Sequence, residues 1–107
     1  VAPEPDLALE AWTPLGFQVQ VALDRWRLIT TMKHPVMVGR EDAVRVALEQ
    51  PDQVRESRSD PNVLLFYRQE RPGRWTCAIA KRAAPFGFLI TAYPTDAIKE
   101  GTQIWPK

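Results

Sequence analysis

The sequence predicts an α+β domain in which N-terminal helices pack on an antiparallel meander sheet of about four strands. Three observations predict it. Helical spacing of apolar residues is confined to the first half of the chain. From Gln53 onward, apolar runs alternate with turn-forming clusters of Gly, Pro, Asp and Asn. A length of 107 residues sets one domain with a modest core.

Residues 1–16 hold Pro3, Pro5, Pro14 and Gly16 and read as an irregular arm or linker. Residues 17–107 form the single α+β domain. Phe17–Leu23 alternates as a short strand. Asp24 can cap a helix whose apolar face carries Trp26 and Ile29, three residues apart. His34 ends that helix, because Pro35 disfavours helical geometry in the residue before it. The β-branched Ile29, Thr30 and Thr31 leave a strand over Arg25–Thr31 as the alternative.

A second helix runs between Arg40 and Gln50. Val44, Ala47 and Leu48 share one face, Glu41 and Asp42 suit its N-terminus, and Pro51 ends it. Gln53–Arg58 is a polar strand and Ser59–Asn62 a turn. Val63–Gln69, Trp75–Lys81 and Gly87–Tyr93 are strands, joined by loops at Glu70–Arg74 and Arg82–Phe86. Pro94 stops the last of them, and Thr95 or Asp96 starts a short helix ending at Gly101.

Symmetric pairing of these hairpins places Tyr67 opposite Cys77, Cys77 opposite Thr91, and Trp75 opposite Tyr93. Opposed residues share a face. One face then carries Tyr67, Lys81, Thr91 and Tyr93, with Val63, Leu65, Ile79 and Leu89. The other carries Leu64, Phe66, Ala78, Ala80, Phe88 and Ile90 and makes a bed for the helices. A slip of one residue exchanges the faces.

Apolar residues make up 45% and charged residues 25% of the chain, as in an ordinary globular protein. No apolar run approaches the roughly 18 residues that span a bilayer, and no secretory signal pattern opens the chain. It begins with Val, as a piece of a larger polypeptide would. Cys77 is the only cysteine and His34 the only histidine, which leaves no disulfide framework and no cysteine–histidine zinc site. Cys77 reads as a small buried hydrophobe. The net charge is +1, but Glu4, Asp6 and Glu10 lie in the first eleven residues without a base. Arg68, Arg71, Arg74, Lys81 and Arg82 face only Glu70 between positions 68 and 82, a local positive field suited to phosphates.

His34 is the one side chain with an ordinary pKa near neutrality and is the candidate acid or base; helix-end capping is its plainer role. Lys81, at a strand end, can stabilise a phosphorane transition state or simply mark an exit to solvent. Arg68 and Arg82 can grip a phosphate through paired bonds. Thr91 and Tyr93 can position a phosphate or a catalytic partner, and Tyr93, Tyr67 or Trp75 can stack a base. Ser57 has no base beside it. No Gly-rich phosphate loop, paired carboxylates at metal spacing, or serine-plus-base motif occurs. RNA cleavage fits this inventory, because the 2′-hydroxyl is an internal nucleophile and no metal or other cofactor is required.

Several short motifs agree with a known pattern: His34-Pro35, Pro51 with Val54, Leu65-Phe66-Tyr67-Arg68, Ala80-Lys81, and Ile90-Thr91-Ala92-Tyr93-Pro94-Thr95-Asp96. Over about residues 20–105 the chain resembles the barnase–EndoU–colicin–RelE nuclease superfold, in its phage- and mobile-element-associated branch. The resemblance implies a metal-independent, toxin- or effector-like endoribonuclease that leaves a 2′,3′-cyclic phosphate. Its catalytic residues would be His34, Lys81, Thr91 and Tyr93, and Tyr67, Arg68 and Arg82 would bind substrate. It implies RNA as substrate and a neutralising antitoxin or immunity protein as partner. It implies a cytoplasmic site of action, reached directly or within a larger secreted or phage polypeptide. Leu28 departs from the pattern, since many relatives carry a second histidine there. Two other classes stand beside this one: an RNA-binding module without catalysis, and a protein–protein module supported by the acidic, Pro-rich arm.

Overall fold

The computed structural model describes residues 6–98 and 100–106. Among them, two α-helices and seven strands build one mixed sheet, ordered β1-β2-β6-β5-β4-β3-β7. The α+β expectation holds, and its four strands are the continuous antiparallel series β3 (Gln53–Glu56), β4 (Val63–Arg71), β5 (Arg74–Lys81) and β6 (Gly87–Thr95). The sheet is larger than expected at both ends.

The first extension corrects the reading of residues 1–16 as irregular. Leu7–Trp12 is strand β1, antiparallel to β2 (Gln18–Ala22). Leu9 and Ala11 alternate into the core, which offsets the Pro-rich flanks. Residues 1–5 lie outside the described residues. The second extension replaces the short helix expected near Thr95 or Asp96. Gly101 turns the chain at φ +78°, and β7 (Thr102–Trp105) pairs with β3. Arg55 fixes this return by donating to the Glu100 carbonyl at 2.6 Å and the Gly101 carbonyl at 2.7 Å.

Helix α1 spans Leu23–Leu28, with Ala22 at its N-cap. Asp24 is therefore not the cap; it lies in the first turn, where its charge still suits the dipole. The β-branched run that follows is a weaker helix former, and Ile29–Lys33 widens into a π-helical turn. Thr30 and Thr31 hydroxyls donate to carbonyls one turn back, which satisfies groups the widened turn leaves open. His34 leaves helical geometry at φ −141°, ψ 78° before the 3₁₀ turn Pro35–Met37. No described helix is long and apolar enough to cross a membrane.

Helix α2 (Glu41–Glu49) buries Val44, Ala47 and Leu48 as its spacing predicts. It packs against β1, β4 and β5, so the sheet curls around it. Each of its larger side chains contributes about 1.5–3 kcal/mol through burial. The main core lies on this helix side. A smaller cluster of Leu65, Tyr67 and Cys77 lies on the opposite, helix-free face.

Tyr67 pairs with Cys77 as expected, but the connecting loop narrows to Pro72-Gly73, with Gly73 at φ +76°. On β6, Cys77 pairs with Tyr93 and Trp75 with Thr95, two residues beyond the symmetric expectation. Ile79 pairs with Thr91 and Ala80 with Leu89, so Ile90 is an extra, bulged residue. The bulge exchanges the faces before it. Leu89 turns inward at 1% exposure, and Phe88 turns outward at 43%, the reverse of the expected arrangement. Nor does Pro94 stop β6. Beyond Phe88 the strand has no β2 neighbour, so the missing proline N–H costs no second ladder.

Candidate functional site

The gap where β2 leaves β6 is filled by the segment after α1. Lys33 Nζ donates to the Ile90 carbonyl at 3.4 Å. One residue on, the His34 ring packs against the Tyr93 ring with centroids 5.3 Å apart and planes tilted by 39°. His34 and Tyr93 are far apart in sequence. The π-helical turn and Pro35 deliver the first, and the face alternation of β6 delivers the second.

Tyr93 stands in a row with Cys77 and Tyr67 across β6, β5 and β4. Burial pushes the Cys77 thiol up to about 12, opposed by the nearby Tyr93 and Tyr67 hydroxyls. Burial likewise raises both tyrosines above the ordinary phenol value, with the Cys77 charge adding to it. Tyr93 therefore stays protonated through the physiological range and serves as a hydrogen-bond donor, not a base. Thr91 lies two residues from Tyr93 on the same face; its Oγ1 is buried and has no hydrogen-bond partner among the described residues. Such an orphaned hydroxyl is costly unless something bonds it.

Three of the four expected catalytic residues thus share one end of the open face. Lys81 does not join them. It lies two residues past Ile79, the partner of Thr91, and four past Cys77, the partner of Tyr93, about 13 Å from the latter at strand rise, and its Nζ is held 3.3 Å from Asp60 Oδ2. The Asn62 N–H, and then Lys81, hold the Asp60 carboxyl below the usual range.

The expected substrate-binding group also divides. Tyr67 is 2% exposed and lies two strands from Tyr93 on the same face, with Cys77 between them. Arg68 points to the α2 side, where Nη1 donates to the Gln50 carbonyl at 3.0 Å and lies 3.7 Å from Asp52. Arg82 stacks over Phe17 at 5.1 Å from the ring centroid. The strands alternate, so adjacent Tyr67 and Arg68 cannot serve one face.

Lys33 is the cation the sequence reading missed. Its adjacency to His34 was the available signal, but only the gap beside β6 gives it a role. A cleft of about 200 Å³ opens beside Tyr67, Tyr93 and Thr95, bordered by Asp96 and Glu100. Among the described residues, no group of three or more His, Cys, Asp and Glu side chains is placed to hold a metal ion. Comparison with family models, curated proteins and solved structures finds no match for this chain.

Proposed function

We propose that the chain is a metal-independent endoribonuclease domain of the toxin or effector kind, with His34 as the proton-transfer group. The carrying observation is the packing of the His34 ring on the Tyr93 ring at 5.3 Å. The imidazole takes the proton of the 2′-hydroxyl as O2′ bonds to phosphorus. It then returns a proton to O5′ as the P–O5′ bond breaks, leaving a 2′,3′-cyclic phosphate and a 5′-hydroxyl. Tyr93 holds the ring in place, and Lys33, next to His34 in the chain, supplies the nearby positive charge. Lys81 and Arg68 are released from the roles the sequence alone gave them. Asp96 and Glu100 repel phosphate, so the backbone approaches from the Lys33–His34 side.

The test is incubation of structured and unstructured RNA, and of translating ribosomes, with the protein in EDTA. Cyclic-phosphate ends are expected. His34→Ala should lower the rate about 10²–10⁴-fold, the usual worth of a general acid–base group. Intact RNA in every case overturns the proposal. The exposed Phe86 and Phe88 favour a second reading, an RNA-binding module without cleavage. Its mark is intact RNA with binding that weakens steeply as salt rises. A neutralising protein partner would have to cover His34, and in doing so would meet exposed Met32 and Val36 close by in the chain.

A further inference from the structure

The bulge at Ile90 turns Phe88 onto the open face, where it pairs with Lys81 of β5 and with Gln20 of β2. Leu7 and Ala22, paired with each other, continue that face across β1 and β2. Together with Arg25 and Phe86 they line a cleft of about 270 Å³. Phe86 and Phe88 are 39% and 43% exposed, large aromatic surface left open to water.

We propose that this cleft is a nucleobase subsite, which binds a nucleotide flanking the one cleaved. The inference rests on the RNA reading above and extends it to residues that reading does not use. A base presents a flat π-face, a hydrogen-bonding edge and an adjoining phosphate. The cleft presents two phenyl rings, the Gln20 amide with both donor and acceptor, and the Arg25 guanidinium at its rim. Among the described residues no carboxylate lines it, in contrast to the cleft beside Tyr93. Its volume lies just below the range of drug-sized ligand pockets, which run from about 300 Å³ upward. That suits one base and is too little for a docking ridge of a protein. Phe88 is five residues from Tyr93 along β6, one of them bulged, which sets the two about 13 Å apart. A base in the cleft therefore belongs to a neighbouring nucleotide of the same strand.

The test uses the full chain and a short 2′-O-methyl oligoribonucleotide, which lacks the free 2′-hydroxyl and cannot be cut. Fluorescence anisotropy should show binding that Phe88→Ala weakens about tenfold, as loss of one base–aromatic stack implies. Phe88→Trp should restore it, and Gln20→Ala should weaken it in a base-dependent way. Phe88 is exposed, so the variants are expected to melt as the parent does. Equal affinity of parent and folded Phe88→Ala overturns the subsite. RNA left intact together with Phe88-dependent binding sinks the cleavage reading and supports the subsite. RNA cut equally well by parent and Phe88→Ala, with unchanged oligonucleotide affinity, sinks the subsite alone. A dimer in light scattering that Phe88→Ala dissociates, without oligonucleotide binding, assigns the cleft to self-association and overturns the proposal.

Discussion

Raising the pH should unfold this protein through Cys77, and the effect reports directly on the row that carries Tyr93. The folded thiol titrates near 12, against an ordinary value of 9.0 in the unfolded chain. Between those values the unfolded state releases a proton that the folded state keeps. The stabilising contribution is therefore complete below about pH 9 and is lost as the pH rises toward 12. Each unit costs about 1.4 kcal/mol once the unfolded thiol is ionised. From pH 8 to pH 10 the parent should lose about 1.4 kcal/mol, and near pH 12 about 4 kcal/mol. Tyr67 and Tyr93, also raised by burial, add to the loss above pH 10. Cys77→Ala removes the thiol and should flatten the curve between pH 8 and 10. Urea titrations of both proteins at the two pH values measure the difference. Equal losses in parent and variant would refute the burial of Cys77, the cross-strand neighbour of Tyr93.

Tyr93→Ala should lower RNA cleavage about 100-fold by releasing the His34 ring, as misplacement of a reacting group does; Tyr93→Phe keeps the ring and should retain most of the rate. Single-turnover assays in EDTA with both variants separate the ring from the hydroxyl, and equal losses would contradict a positioning role. Lys33→Ala should cost about tenfold in rate, close to 1.4 kcal/mol of barrier, with the deficit shrinking at high salt. Lys81→Ala, paired with Asp60 at the far end of β5, should leave cleavage of the shortest substrates unchanged. Gly101→Ala should destabilise the fold by about 1–3 kcal/mol. Its φ is +78°, and a Cβ there would collide with the Glu56 carbonyl. Thermal melting checks this, and an unchanged melting temperature would contradict the tight return into β7.

What was legible in the sequence was local. Val44, Ala47 and Leu48 fall on one helical face ahead of Pro51, and α2 follows from that spacing alone. The β4–β5 hairpin is bound by a short turn, so Tyr67 opposite Cys77 could be read by counting. His34 before Pro35 announced a helix end, and Tyr93 an outward-facing aromatic; the two meet in the candidate site. The rest depended on distant pairings. The parallel contact of β2 with β6 and the return of β7 to β3 join segments that no short-range pattern connects. In β1 the alternation of Leu9, Glu10 and Ala11 was present, but the prolines around it carry the stronger local signal.

The cations show why face assignments fail while element assignments succeed. Lys81 was placed on the correct face, yet a site needs position along the strand as well as side. Its partner Asp60 comes from a turn whose aim the sequence does not encode locally. Arg68 failed for the opposite reason: it neighbours Tyr67, and strand geometry sends neighbours to opposite sides. A single extra residue, Ile90, governs what remains. It preserves the face of Thr91 and Tyr93, reverses Leu89 and Phe88, and presents the carbonyl that Lys33 meets. One bulge thus supports the histidine end of the open face and creates the aromatic cleft at the other. If both ends act on one strand of RNA, their spacing is set by that residue, because the register on either side of it is otherwise fixed by the two cores.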